Sequence, residues 1–205
     1  MIETLEKTAA ALRKRGFDAA VFSTSAQAAA FLLKDMPEGQ TVAIGGSMTA
    51  KQIGLERLLR QAGHKVLWHW EAAPEERPAL LHEAMQAPLY VCSANALTES
   101  GLIVQIDGNG NRIAAMCYGP STVYVVVGRN KIVKGGYQDA VRRIKQTACP
   151  QNARRQNLST PCGKEGGACS VAQCSQSMCH ITAAFDLAPS GKRTQVILID
   201  EDLGY

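Results

Sequence analysis

No stretch of this 205-residue sequence approaches the roughly 20 consecutive apolar residues that a bilayer-spanning helix needs. A secretion signal is missing too: Met1-Ile2-Glu3-Thr4-Leu5-Glu6 is acidic and helical in pattern, without a basic start or an apolar run. A cytoplasmic location is therefore expected. The charge excess is weak, at +4 from 22 basic and 18 acidic residues. Arg142-Arg143-Ile144-Lys145 and Arg154-Arg155 are short basic clusters that read as solvated helix faces, so neither nucleic acid nor a membrane is an expected partner. Internal repeats, low-complexity tails, Walker and GxGxxG fingerprints and C-x2-C knuckles are all missing.

What remains suits one α/β domain over residues 1–205, with 46% hydrophobic and 20% charged residues. Leu5, Ala9 and Leu12 share a face of a helix from Ile2 to Arg15, which Gly16 ends. Short apolar strands follow at Phe17 to Phe22, Thr41 to Ile44, Lys65 to Trp70 and Leu89 to Cys92. Helical segments separate them, one starting near Ser25, one near Thr49 and one near Pro74. Such alternation predicts a Rossmann-like, mostly parallel sheet with helices on both faces. Leu102 to Ile106 and Arg112 to Cys117 then read as a β-hairpin across Asp107-Gly108-Asn109-Gly110-Asn111, whose Asp-Gly and Asn-Gly steps favour tight reversals. Thr122 to Val127 is an apolar central strand, and Tyr137 to Ala148 a helix that Pro150 closes. Residues 157–180 carry no period and form an irregular cysteine-bearing insert or loop, and Gln195 to Ile199 is a last strand.

Three polar segments leave strands at what should be one edge of the sheet, where ligands of open α/β sheets gather. In Gly45-Gly46-Ser47-Met48-Thr49, the glycines allow close backbone approach, while Ser47 and Thr49 supply hydroxyls. A phosphate or carboxylate is the expected guest, the alternative being a plain capped turn. Asn95, Thr98 and Glu99 follow the fourth strand, Glu99 serving as general base, nucleophile or only a salt-bridge partner. Arg129 and Lys131 leave the central strand as anion holders or as ordinary loop charges. His69, between Trp68 and Trp70, reads as structural.

Of seven cysteines, Cys92, Cys117 and Cys149 stand alone among small or apolar neighbours, as buried thiols do. Cys162, Cys169, Cys174 and Cys179 fall in one glycine- and serine-rich loop. Four thiolates there would suit zinc or an iron–sulfur cluster, with disulfides or free thiols as the other readings and His180 as a spare ligand.

Taken in order, Ile44 to Thr49, Trp68-His69-Trp70, Ser93 to Glu99, Asp107 to Arg112, Tyr118-Gly119-Pro120, Val127 to Lys131 and Asp200 to Tyr205 resemble the lactate-utilisation (LUD) domain family, in a short form with a cysteine segment. The resemblance spans nearly the whole chain. It implies the fold of ribose-5-phosphate isomerase, glucosamine-6-phosphate deaminase and CoA transferases, in which a glycine–serine–threonine loop holds a substrate phosphate. It also implies a part in oxidising lactate to pyruvate alongside iron–sulfur partner proteins; a flavin partner and a homo-oligomer are further options. The cysteine spacing here is looser than the C-x5-C-x2-C-x5-C of similar members.

Three functions follow as expectations. The first is a redox-associated metabolic protein that binds a small anionic or phosphorylated metabolite at Gly45, Gly46, Ser47, Thr49, Thr98, Arg129 and Lys131. Asn95 and Glu99 would face its reactive part, and the four loop cysteines would hold a metal. The second is a CoA-transferase- or isomerase-like enzyme using Glu99. The third is a non-catalytic subunit of a redox complex.

Overall fold

The computed structural model describes residues 2–205. Six strands form a wholly parallel sheet: β1 (Asp18–Phe22), β2 (Thr41–Ile44), β3 (Lys65–Trp68), β4 (Leu89–Cys92), β7 (Thr122–Gly128) and β10 (Arg193–Ile199). Their order is β1-β10-β7-β4-β2-β3. Short apolar sequences suit strands buried on both faces, and side-chain alternation divides them between two cores. Val123, Val125 and Val127 of β7 join Leu5, Ala9 and Leu12 of α1 (Ile2–Lys14) on one face. Tyr124 and Val126 point the other way, onto Ala28 and Leu32 of α2 (Ser25–Asp35), Ala50 of α3 (Met48–Ile53) and Leu55 and Leu59 of α4 (Leu55–Gln61). Each fully buried valine contributes about 1.5–3 kcal/mol, so this double burial is the main source of stability. Among the described residues, no helix is long and apolar enough to cross a membrane. The helix expected from Pro74 starts later, as α5 (Arg77–Ala84).

A second, four-stranded sheet escaped the sequence reading. Its order is β8-β5-β6-β9, from β5 (Ala96–Thr98), β6 (Ile103–Asp107), β8 (Ile132–Val133) and β9 (Ile181–Phe185). β6 is antiparallel to both β5 and β9, while β5 and β8 are parallel.

The expected β-hairpin over 102–117 is not formed. Chain reversal after β6 does occur, with Gly110 at φ +82°, but it opens a helix, α6 (Asn111–Cys117). Asp107 decides the outcome: its Oδ2 accepts the backbone N–H groups of Arg112 and Ile113, both at 3.1 Å, and so caps the helix start. Pro150 likewise fails to end its helix. α7 (Tyr137–Arg143) runs into a π turn (Ile144–Ala148) and on into α8 (Cys149–Arg155). A regular helix would set the proline ring against the carbonyl four residues back, and the wider turn relieves that crowding. Ile144, Ala148 and Cys149 then pack on Ala96, Val104 and Ile106 of the second sheet.

Candidate functional site

A cavity of about 250 Å³ opens at the carboxyl edge of the parallel sheet, where β2, β3, β4 and β7 end, and reaches across to α8. After β2 the chain turns through Gly45-Gly46-Ser47. A Cβ on Gly45 would lie 2.7 Å from the Tyr90 hydroxyl and 3.1 Å from Arg112 Cγ, so only glycine fits this approach. Gly46 and Ser47 line the cavity. Ser47 also caps α3, its Oγ accepting the Ala50 N–H at 3.1 Å.

Lys131 is the centre of the site. It ends a 3-10 turn, Arg129–Lys131, directly after β7 and is only 4% exposed, yet it lines the cavity. Its Nζ donates to Thr49 Oγ1 and Ser93 Oγ, both at 2.9 Å, and among the described residues no carboxylate pairs with it. Burial, reinforced by the charges of Arg143 and Arg112, pushes the ammonium down to about 7. The chain end covers it, for a Cβ on Gly204 (φ +63°) would sit 2.6 Å from Thr49 Oγ1 and 3.0 Å from Lys131 Nζ.

Arg112 forms the opposite wall. Burial works against its charge, and Asp107 more than restores it through a 2.7 Å ion pair. The same guanidinium donates to Asn95 Oδ1 at 3.2 Å and to the Ile106 carbonyl at 2.8 Å. Asn95 is thereby a clamp: its Oδ1 also accepts the Ile106 N–H at 2.9 Å, and its carbonyl accepts from Arg143 at 2.7 Å. Arg155 of α8 lies 4.6 Å from the centre of the Trp70 ring, which also stacks on Trp68 at 5.3 Å. Arg155 also donates to the Tyr205 hydroxyl at 2.7 Å, which in turn donates to Asn152 Oδ1 at 3.0 Å. His69 lines the cavity half-buried, and burial followed by Arg77, Arg112 and Arg155 lowers its affinity for a proton. Three cationic side chains and one carboxylate, already committed to Arg112, leave a net positive hollow suited to an anion.

Of the residues expected to hold a ligand, Gly46, Ser47, Asn95 and Lys131 line the cavity, with Gly45 and Thr49 directly behind them, and His69, read from sequence as structural, lines it too. Thr98, Glu99 and Arg129 are not brought there. Residues after Asn95 extend as β5 instead of staying in an edge loop, and at about 3.3 Å per residue Glu99 is carried roughly 13 Å onward. Its N–H bonds to the Val133 carbonyl at 3.0 Å, and the next residue lies against the end of α1, Arg15 Nε donating to the Ser100 carbonyl at 2.7 Å. Thr98 is buried, with its Oγ1 on Ser100 Oγ and the Leu102 N–H. Arg129 is neutralised outside the cavity by Asp202 at 2.9 Å and Asp200 at 3.3 Å.

The four loop thiols differ in exposure, and two of them, Cys162 and Cys179, pack with Cys149 in one cluster. Cys162 is buried against Thr160 Oγ1 at 3.5 Å, Cys169 is exposed, and Cys174 and Cys179 are half-buried. Among the described residues, no three His, Cys, Asp or Glu side chains are arranged to hold a metal ion. Cys179 instead meets Cys149, sulfur to sulfur, at 3.3 Å. Cys92 is buried, its thiol pushed up to about 12 chiefly by burial, whereas Cys117 is exposed.

Arg112, Asp107, Trp70, Asn152, Arg155 and Tyr205 were missed from sequence. Asp107-Gly108-Asn109-Gly110-Asn111-Arg112 was visible as a motif, but its reading as a hairpin hid a buried ion pair. Arg155 looked like one more solvated helix charge.

Fold and cavity together define a Rossmann-like α/β protein with a cationic site at the strand ends. The LUD domain description matches residues 5–199, and the chain belongs to that lactate-utilisation family. A DUF162 family protein from Deinococcus radiodurans has a similar structure, with a TM-score of 0.54 at 14% identity and 96% of each chain covered. A more distant likeness is to eIF2B beta from Chaetomium thermophilum, with a TM-score of 0.41 at 16% identity, over 57% of this chain and 45% of that one. No curated protein sequence matches.

Proposed function

We propose that the chain binds a small anionic metabolite, a 2-hydroxy or 2-oxo carboxylate or a phosphorylated compound, in the cavity at the strand ends, and serves a redox step of lactate utilisation. The observation that carries this reading is Lys131, a buried cation lining a cavity without a carboxylate to neutralise it. A charge held so far from water is costly, and a bound anion offsets that cost. Arg155 and Arg112 would meet the same ligand from the other walls, with Ser47 and the Gly45-Gly46 backbone beneath it. The redox association rests on family membership. Glu99, outside the cavity, has no part in this reading.

Isothermal titration with lactate, pyruvate, ribose 5-phosphate and inorganic phosphate tests it. At least one should bind the wild-type chain, and Lys131→Met should weaken that binding by about tenfold or more, as expected for loss of a charge-assisted hydrogen bond. Equal affinity in wild type and variant would show that Lys131 does not hold the ligand.

A further inference from the structure

The Cys149–Cys179 contact belongs to none of the anion-binding machinery, and the two thiols come from separate parts of the chain. Cys149 opens α8 directly after the π turn, is 6% exposed and lines the cavity. Cys179 ends the irregular cysteine segment and is half-buried. Their sulfurs are 3.3 Å apart. Each neighbour of Cys179 is anchored: Met178 Sδ accepts from Asn152 of α8 at 2.8 Å, and the His180 N–H donates to the Asp107 carbonyl at 2.9 Å. The contact is thus held from both sides.

We infer that Cys149 and Cys179 form a thiol–disulfide exchange centre in the cavity wall, whose co-substrate is a small organic disulfide. The more exposed Cys179 attacks first as its thiolate, forming a mixed disulfide and releasing one thiolate from the reagent. Cys149 then attacks the Cys179 sulfur and expels the second, its own proton passing to a leaving thiolate. Two protein thiols and one disulfide become one intrachain disulfide and two small thiols. Protein sulfur is oxidised and reagent sulfur reduced.

The test treats the reduced, full-length chain with 2-hydroxyethyl disulfide under anaerobic conditions, then blocks free thiols with N-ethylmaleimide and maps the peptides. The expected product is a Cys149–Cys179 linked peptide with loss of both free thiols. Cys149→Ser should stop at the mixed disulfide on Cys179, and Cys179→Ser should leave Cys149 unreacted, circular dichroism confirming that both variants fold. A Cys149–Cys162 link, a Cys179 link to another cysteine, or alkylation of both thiols as fast as exposed Cys117 would overturn the inference. Tightly bound zinc or iron that is lost in either variant would overturn it as well, by showing that these sulfurs are ligands.

Discussion

Replacing Lys131 with methionine should make the ligand-free chain more stable while removing its capacity to hold an anion. The folded chain lowers this ammonium from 10.5 to about 7. In the unfolded chain Lys131 is solvated and keeps the ordinary value, so folding must either bury a charge or shed a proton. At about 1.4 kcal/mol per pH unit, that interval amounts to a cost of about 5 kcal/mol below pH 7. The cost is fully present below the folded value, shrinks as pH rises from about 7 toward 10.5, and vanishes above it, because only between those limits does the unfolded chain hold the extra proton. Methionine retains the length of the side chain and leaves Thr49 Oγ1 and Ser93 Oγ, 3.4 Å apart, to bond one another. Losing the two hydrogen bonds to Lys131 returns about 1 kcal/mol each, so a net gain of about 3 kcal/mol is expected near pH 6. Urea unfolding of both proteins, without ligand, near pH 6 and near pH 10 measures the difference. A variant less stable than wild type near pH 6, or a difference that does not shrink with rising pH, would refute the reasoning.

Asp107→Asn strands the buried Arg112 guanidinium and weakens the cap on α6, so a loss of about 3–5 kcal/mol is expected in denaturant unfolding. Gly204→Ala introduces a Cβ at a positive φ and against Thr49 Oγ1, and should cost about 1–3 kcal/mol while displacing the chain end from Lys131, seen as faster hydrogen exchange over residues 202–205. Glu99→Gln, by contrast, should leave anion affinity unchanged within error in the same titrations, since the turn that carries Glu99 packs on α1 and does not line the cavity.

The parallel sheet was legible because buried strands and amphipathic helices carry their periods locally: apolar runs such as Thr41 to Ile44 and Thr122 to Val127 have few other homes. The turn at Gly45 to Thr49 was legible for the same reason, as glycines directly after a strand. What could not be read were features decided by distant partners. β5 has three residues, too few for a period, and exists only because β6 and β8 pair with it. Its formation carries Glu99 out of reach. Arg112 to Cys117 reads equally as strand or helix, and the Asp107 side chain selects the helix. Cys149 looked solitary because Cys179 lies 30 residues further along the chain.

The central claim is that a buried, ligand-seeking ammonium at Lys131 holds an anion at the strand ends. The most direct test is the dissociation constant of lactate or pyruvate, both monoanions throughout, measured between about pH 6 and pH 9. With the ligand-free ammonium titrating near 7, the competent fraction falls to about 1% at pH 9, so affinity should weaken by up to about 100-fold across that range. Lys131→Met should be weak and pH-independent. A wild-type affinity that stays constant from pH 6 to pH 9 would contradict the account.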